Sequence, residues 1–118
     1  MSKYMILIYG DAEQWDAMTA EEEQALHAGH RAFAASAGSR ILSSGELQPP
    51  PMATTMRSDA GGQVVTTDGP FLEVKEVLGG FYLIDAADLD EVLALAGHLR
   101  EAQASHSGIE IRPLVDHG

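Results

Sequence analysis

Apolar and polar positions recur along this chain with two periods, and the switches between them lay out an order of elements. Residues 4–9 (YMILIY) hold six apolar or aromatic side chains in a row, the pattern of a central strand buried on both faces. Gly10 and Asp11 end it. Thr19 and Glu22 are spaced as in a capping box, whose hydroxyl and carboxylate satisfy free amides at a helix start. Leu26, His30, Phe33 and Ala37 then recur at spacings of four, three and four, one face of a first helix that Gly38 closes. Residues 41–44 read as a short strand. The prolines at 49, 50 and 51 cannot donate to a ladder and predict an extended crossing segment.

Residues 53–57 and 63–67 are rich in Thr and Val and flank the turn-forming Ser58, Asp59, Ala60, Gly61 and Gly62, which predicts a β-hairpin. Asp68, Gly69, Pro70 and Phe71 follow as a tight turn. Residues 72–78 fit no single period. Gly79 and Gly80 open a second apolar strand at 81–84. Asp88 and Glu91 form another capping pair, and Leu89, Val92, Leu93, Ala96 and Leu99 predict the inner face of a second helix. Residues 109–112 alternate apolar and polar, a half-exposed strand that Pro113 ends.

This order of strand, helix, strand, hairpin, strand, helix and strand predicts one α+β domain over residues 1–118, ferredoxin-like, with two helices on one face of an antiparallel sheet. Two helices leave the other sheet face bare. A second copy of the chain is its expected cover, hence a homodimer.

Charge narrows the partners. Lys and Arg number 7 against 18 Asp and Glu, a formal charge of -11. The basic residues are scattered singly, so nucleic acid and anionic membrane surfaces are excluded as expected partners. With no cysteine, thiol nucleophiles and Cys-based metal sites are excluded too. No apolar run approaches the roughly 20 residues of a membrane span, and no secretory leader pattern stands at the start. A cytoplasmic protein is expected.

The stretch TDGPFLEVKEVLGGFYLIDAADLDEVLALA resembles the DGPF family of YCII-related proteins. KYMILIYGD, GELQPP followed by ATT, and GIEIRP extend the resemblance from Lys3 to Pro113. It implies a ferredoxin-like fold of the dimeric α/β-barrel type. The wider superfamily includes a lactone dehalogenase and resembles muconolactone isomerases, some DGPF domains accompany extracytoplasmic-type sigma factors, and a His–Asp pair has been proposed as the active site of simpler YCII proteins.

His30 is the leading candidate for chemistry. It stands on the apolar face of the first helix, where an imidazole serves either as a general acid/base or as a buried histidine bonded to backbone. The pattern alone favours the second role, and the resemblance brings the first level with it, since the YCII histidine lies on the same helix. Asp68 is a candidate partner for His30 or a base, against the commoner role of an Asp before Gly as an Asx-turn residue. Phe71 can supply an apolar wall to a cleft shaped by Gly69 and Pro70. Lys75 is the best candidate anion contact, against a surface ion pair with Glu73. Glu46 can act as an acid or base on a rigid turn, or simply face water. Arg112 can clamp a carboxylate or form the solvent side of its strand. Trp15 reads as a loop residue packed as a lid or dimer contact.

His27, His30 and Glu23 are spaced for a metal on one helix, but no third ligand from elsewhere is spaced nearby and His27 is read as pointing off the apolar face. No metal is expected. Phosphate-binding glycine loops, Gly-x-Ser-x-Gly elbows and HExxH are absent. No cofactor is expected. Two functions remain: a small dimeric enzyme doing acid/base chemistry (isomerase, lyase or dehalogenase type) on a small organic acid or lactone, or a non-catalytic ligand-binding or regulatory module, for which the resemblance offers a link to sigma-factor-dependent transcription.

Overall fold

A computed structural model describes the whole chain, Met1–Gly118. Strand β1 (Ser2–Asp11) is central because both its edges are taken. It pairs antiparallel with β5 (Glu76–Ala86) on one side and with β6 (Ser107–Pro113) on the other. Strand β2 (Ile41–Glu46) closes the far edge of β5, giving the order β2-β5-β1-β6. Helix α2 (Ala20–Ala37) connects β1 to β2, and α3 (Leu89–Ala96) connects β5 to β6. That is an α+β domain with the strand order of a ferredoxin-like fold.

The two long connections are helical where the sequence supplies the caps. Thr19 Oγ1 accepts from the Glu22 amide at 3.1 Å, and Asp88 Oδ1 from the Glu91 amide at 2.9 Å. Both helices pack on one sheet face. Phe33 and Ala37 from α2, and Val92, Leu95 and Ala96 from α3, meet Ile6, Ile84 and Ala86 of the sheet, with Leu99 just beyond α3. Leu89 and Leu93, expected on the inner face, are exposed instead. The helix has rolled so that Leu95 packs in their place.

One glycine sets how closely α2 approaches. A Cβ on Gly29 would lie 2.7 Å from the His98 carbonyl oxygen and 3.0 Å from the Arg100 nitrogen. Glycine inside a helix costs about 1 kcal/mol relative to alanine. Here it lets α2 rest directly on the backbone after α3, so that residue 30 faces residue 101.

Three features depart from the sequence reading. A third helix, α1 (Ala12–Asp16), follows β1, capped by Asp11 accepting from the Glu13 amide at 3.0 Å. Trp15 rides on it rather than on a loop. The segment 4–9 is buried on one face only. Ile6 and Ile8 turn inward, while Met5 and Leu7 stand opposite Leu83 and Phe81 on the open face, partly covered. The hairpin, β3 (Thr54–Ser58) with β4 (Val64–Asp68), forms a separate two-stranded ribbon rather than part of the main sheet.

That ribbon is stitched to itself. Gly69, at φ 102°, donates its amide to Ala53 O at 2.8 Å, and Thr55 Oγ1 donates to Gly69 O at 2.7 Å. The left-handed φ is what the DGPF turn needs glycine for. The molecule is flat, 49 × 45 × 20 Å, with a radius of gyration of 16.3 Å, against about 13.5 Å for a compact domain of this length.

Candidate active site

His30 lies one helical turn before Phe33, so its ring is directed onto the sheet beside the core. It is 27% exposed, and both ring nitrogens are engaged: Nδ1 lies 2.6 Å from Tyr82 Oη and Nε2 lies 2.8 Å from Glu101 Oε2. Tyr82 comes from β5, whose alternation puts it on the helix-facing side with Ile84. Its ring stacks near His30, with centroids 5.7 Å apart, and packs against Phe33 at 4.4 Å. Glu101 comes from the 3₁₀ turn Arg100–Ala102, next to the segment on which Gly29 sits. Its side chain is 8% exposed.

These contacts determine where the protons sit. A carboxylate only accepts, so Glu101 requires a hydrogen on His30 Nε2. Nδ1 is then free to accept the Tyr82 hydroxyl proton, or to donate to Tyr82 once the ring is charged. Burial, and secondarily the negative charge of Glu101, push the Tyr82 phenol above its usual value of 10.0. Tyr82 is therefore a neutral hydroxyl at physiological pH. A buried carboxylate, an imidazole and a phenol in series form a proton relay of the kind that orients and charges a catalytic histidine.

The relay opens on a cavity of about 580 Å³ lined by His30, Tyr82 and Glu101, within the usual size range of small-molecule sites. Trp15 forms part of its wall. A Cβ on Gly10 or on Gly79 would collide with the indole, at 2.3 and 2.5 Å, so these two glycines make the bed in which Trp15 lies. The β1–β5 register shifts beside them, between Ile8 and Tyr9. Leu47, Pro49 and Pro50 cross over from the segment after β2, and Glu46 and His27 also line the cavity.

The carboxylate facing His30 is Glu101, and Asp68 is elsewhere. Asp68 is exposed at the end of β4, opposite Thr54 in the separate ribbon. Phe71 does not wall the cavity; it is 62% exposed, with the Arg57 guanidinium 3.8 Å above its ring. Lys75 reaches back to Asp11 at 3.6 Å while remaining 81% exposed. Arg112 is opposite Met5, which puts it on the open sheet face away from His30. Of the sequence candidates, His30 and Glu46 are brought to one site. His27, expected off the apolar face, borders it as well.

Sequence reasoning missed Tyr82 and Glu101, and it singled out Trp15 as a lid or dimer contact on a loop where the structure has it on α1 in the cavity wall. The one signal for Tyr82 was its strand alternation with Ile84, which shares the face that His30 meets. Glu101 carries no local signal, because a lone Glu after a helix is ordinarily exposed.

The family model of the YCII-related domain matches residues 2–117, nearly the whole chain. The chain belongs to the YCII-related family. An uncharacterised protein of Rhizobium meliloti (strain 1021) is 40% identical to this YCII-related chain over 116 residues, covering 95% of this chain and 91% of the relative.

The raised Tyr82 value has a measurable consequence. A group held protonated by the fold stabilises it fully below its unfolded value and loses that contribution as pH climbs through the folded value. Ultraviolet titration of the three tyrosines should therefore show one phenol ionising after the others. Tyr82→Phe should remove that late component and flatten the fall in stability above pH 10.0. A late component that persists in Tyr82→Phe would assign the shift to another tyrosine.

Proposed function

We propose that this YCII-related protein is an enzyme that transfers a proton to or from a small molecule held in the cavity, in the manner of an isomerase, lyase or dehalogenase. The observation that carries the reading is the Glu101–His30–Tyr82 series bordering that cavity. A cavity alone would serve a ligand-binding module equally well. Two proton-bearing groups in line with a carboxylate that orients them favour chemistry over simple binding.

In the resting state Tyr82 Oη–H donates to His30 Nδ1, and His30 Nε2–H donates to Glu101. When a carbon beside a carbonyl gives its proton to Tyr82 Oη, the hydroxyl passes its own proton to Nδ1. The C–H electron pair moves into the enolate, and the imidazolium is held by Glu101. The reverse transfer returns a proton to the same or a neighbouring carbon. Tyrosinate never forms, so a phenol held above its usual value is no obstacle. A lactone carbonyl, uncharged at the reacting centre, suits this step.

The experiment is solvent-deuterium incorporation into molecules that stabilise the protein in a thermal-shift screen. Wild type should exchange at least about 100-fold faster than folded His30→Gln, the lower range for removing a general base. An amide keeps a hydrogen bond but carries no proton near pH 7. Full exchange in folded His30→Gln contradicts the assignment.

A two-subunit form is part of the proposal. The face bearing Met5, Leu7, Phe81 and Leu83 has no helix over it, the ribbon exposes Met56 and Val64, and Phe71 is exposed just after it. Burying such surface against a second copy favours association. Sedimentation at micromolar concentration should give twice the chain mass of 12.6 kDa. A stable monomer contradicts this.

A further inference from the structure

Besides Glu101, the cavity is lined by the carboxylates of Asp16, Glu23 and Glu46, and by no lysine or arginine. They come from three separate elements: α1, α2 and the end of β2. The residues expected to receive an anion lie elsewhere, Lys75 on Asp11 and Arg112 on the open sheet face. Arg100 borders a separate cleft of about 30 Å³ together with Glu101, outside the main cavity. Glu101 itself is only partly compensated, since Oε2 has His30 while Oε1 is buried with no hydrogen-bond partner.

From this arrangement we infer that the molecule the cavity takes is a small organic cation, an amine with an apolar body, rather than an organic acid. The inference rests on the cavity being the substrate site proposed above. An anion entering it would meet four carboxylates and no fixed positive charge, with the histidines as the only groups able to gain one. An ammonium would meet the same carboxylates as counter-charges, in a field that the chain's charge of -11 reinforces at longer range. Aromatic walls help too, because Trp15 and Tyr82 both border the cavity and ring faces attract ammonium groups. Leu47, Pro49 and Pro50 supply the surface for the apolar body. The reacting centre remains an uncharged carbonyl, and the positive charge belongs to the rest of the molecule.

Three probes of one shape separate charge from size: cyclohexylamine, cyclohexanol and cyclohexanecarboxylate at pH 7, titrated at low salt. Emission from the chain's single tryptophan reports binding, because Trp15 lines the cavity. The ammonium should bind roughly tenfold or more tightly than the carboxylate, with the alcohol between. The difference should shrink at about 0.5 M salt, where screening acts over a few ångströms. The double substitution Glu23→Gln with Glu46→Gln changes two exposed side chains without touching the relay, and should remove most of the preference.

A carboxylate that binds as tightly as the ammonium, with the same tryptophan response, overturns the inference and leaves the proton relay standing. Probes that bind without changing Trp15 emission, or do not bind at all, overturn both this inference and the reading of the cavity as the substrate site.

Discussion

Burying a carboxylate is costly unless its charge is answered by hydrogen bonds or an opposite charge. Glu101 is buried, and the side chain that answers it is His30. Much of the local architecture serves that meeting. Gly29 gives up helix propensity so that α2 can rest on the backbone beside residue 101. Phe33 packs Tyr82 from below, and Tyr82 takes the second imidazole nitrogen. Ser107 at the start of β6 donates its hydroxyl to the Glu101 carbonyl at 3.2 Å, tying the turn to the sheet. Loss of His30 would leave a buried carboxylate without the hydrogen bond that answers it, at a cost of about 1–3 kcal/mol or more.

The same constraint explains what was legible in the chain. Helix α2 could be read because its signals are local: Thr19, Glu22, the apolar spacing through Phe33 and Ala37, and Gly38. Helix α3 was legible in extent but not in rotation. Its run offers two overlapping apolar stripes, one through Leu89 and Leu93 and one through Leu95 and Leu99, and only packing against the sheet selects the second. Helix α1 spans five residues, too few for a period to show. His30 could be found as a polar residue on an apolar face. Its partners are 52 and 71 residues away in sequence, and no spacing rule reaches that far. Asp68 looked like a partner because it stands in the most recognisable motif. The DGPF turn instead closes the ribbon through Gly69.

Cavity and charge belong together in this account. An acidic chain with scattered basic residues is expected to repel anions from its surface, and the lining carries that bias into the site, since the carboxylates there come from separate elements and none is paired with a lysine or arginine. A site that must generate an enolate ordinarily places positive charge or donors near the oxygen. Here the donor at hand is the Tyr82 hydroxyl; the imidazolium formed by proton transfer has both N–H groups engaged, by Tyr82 and Glu101, and contributes positive charge nearby. The negative charge of Glu101 thus does two jobs: it fixes the tautomer at rest and holds the proton once it arrives.

Nitrogen-15 chemical shifts of the His30 ring test the central claim most directly, because they report which nitrogen carries the proton. At neutral pH the relay requires Nε2 protonated and Nδ1 bare, with the Nδ1 shift moving when Tyr82→Phe removes the hydroxyl proton it accepts. A ring protonated on Nδ1 alone, or an Nδ1 shift indifferent to Tyr82→Phe, would contradict the relay and with it the proposed chemistry.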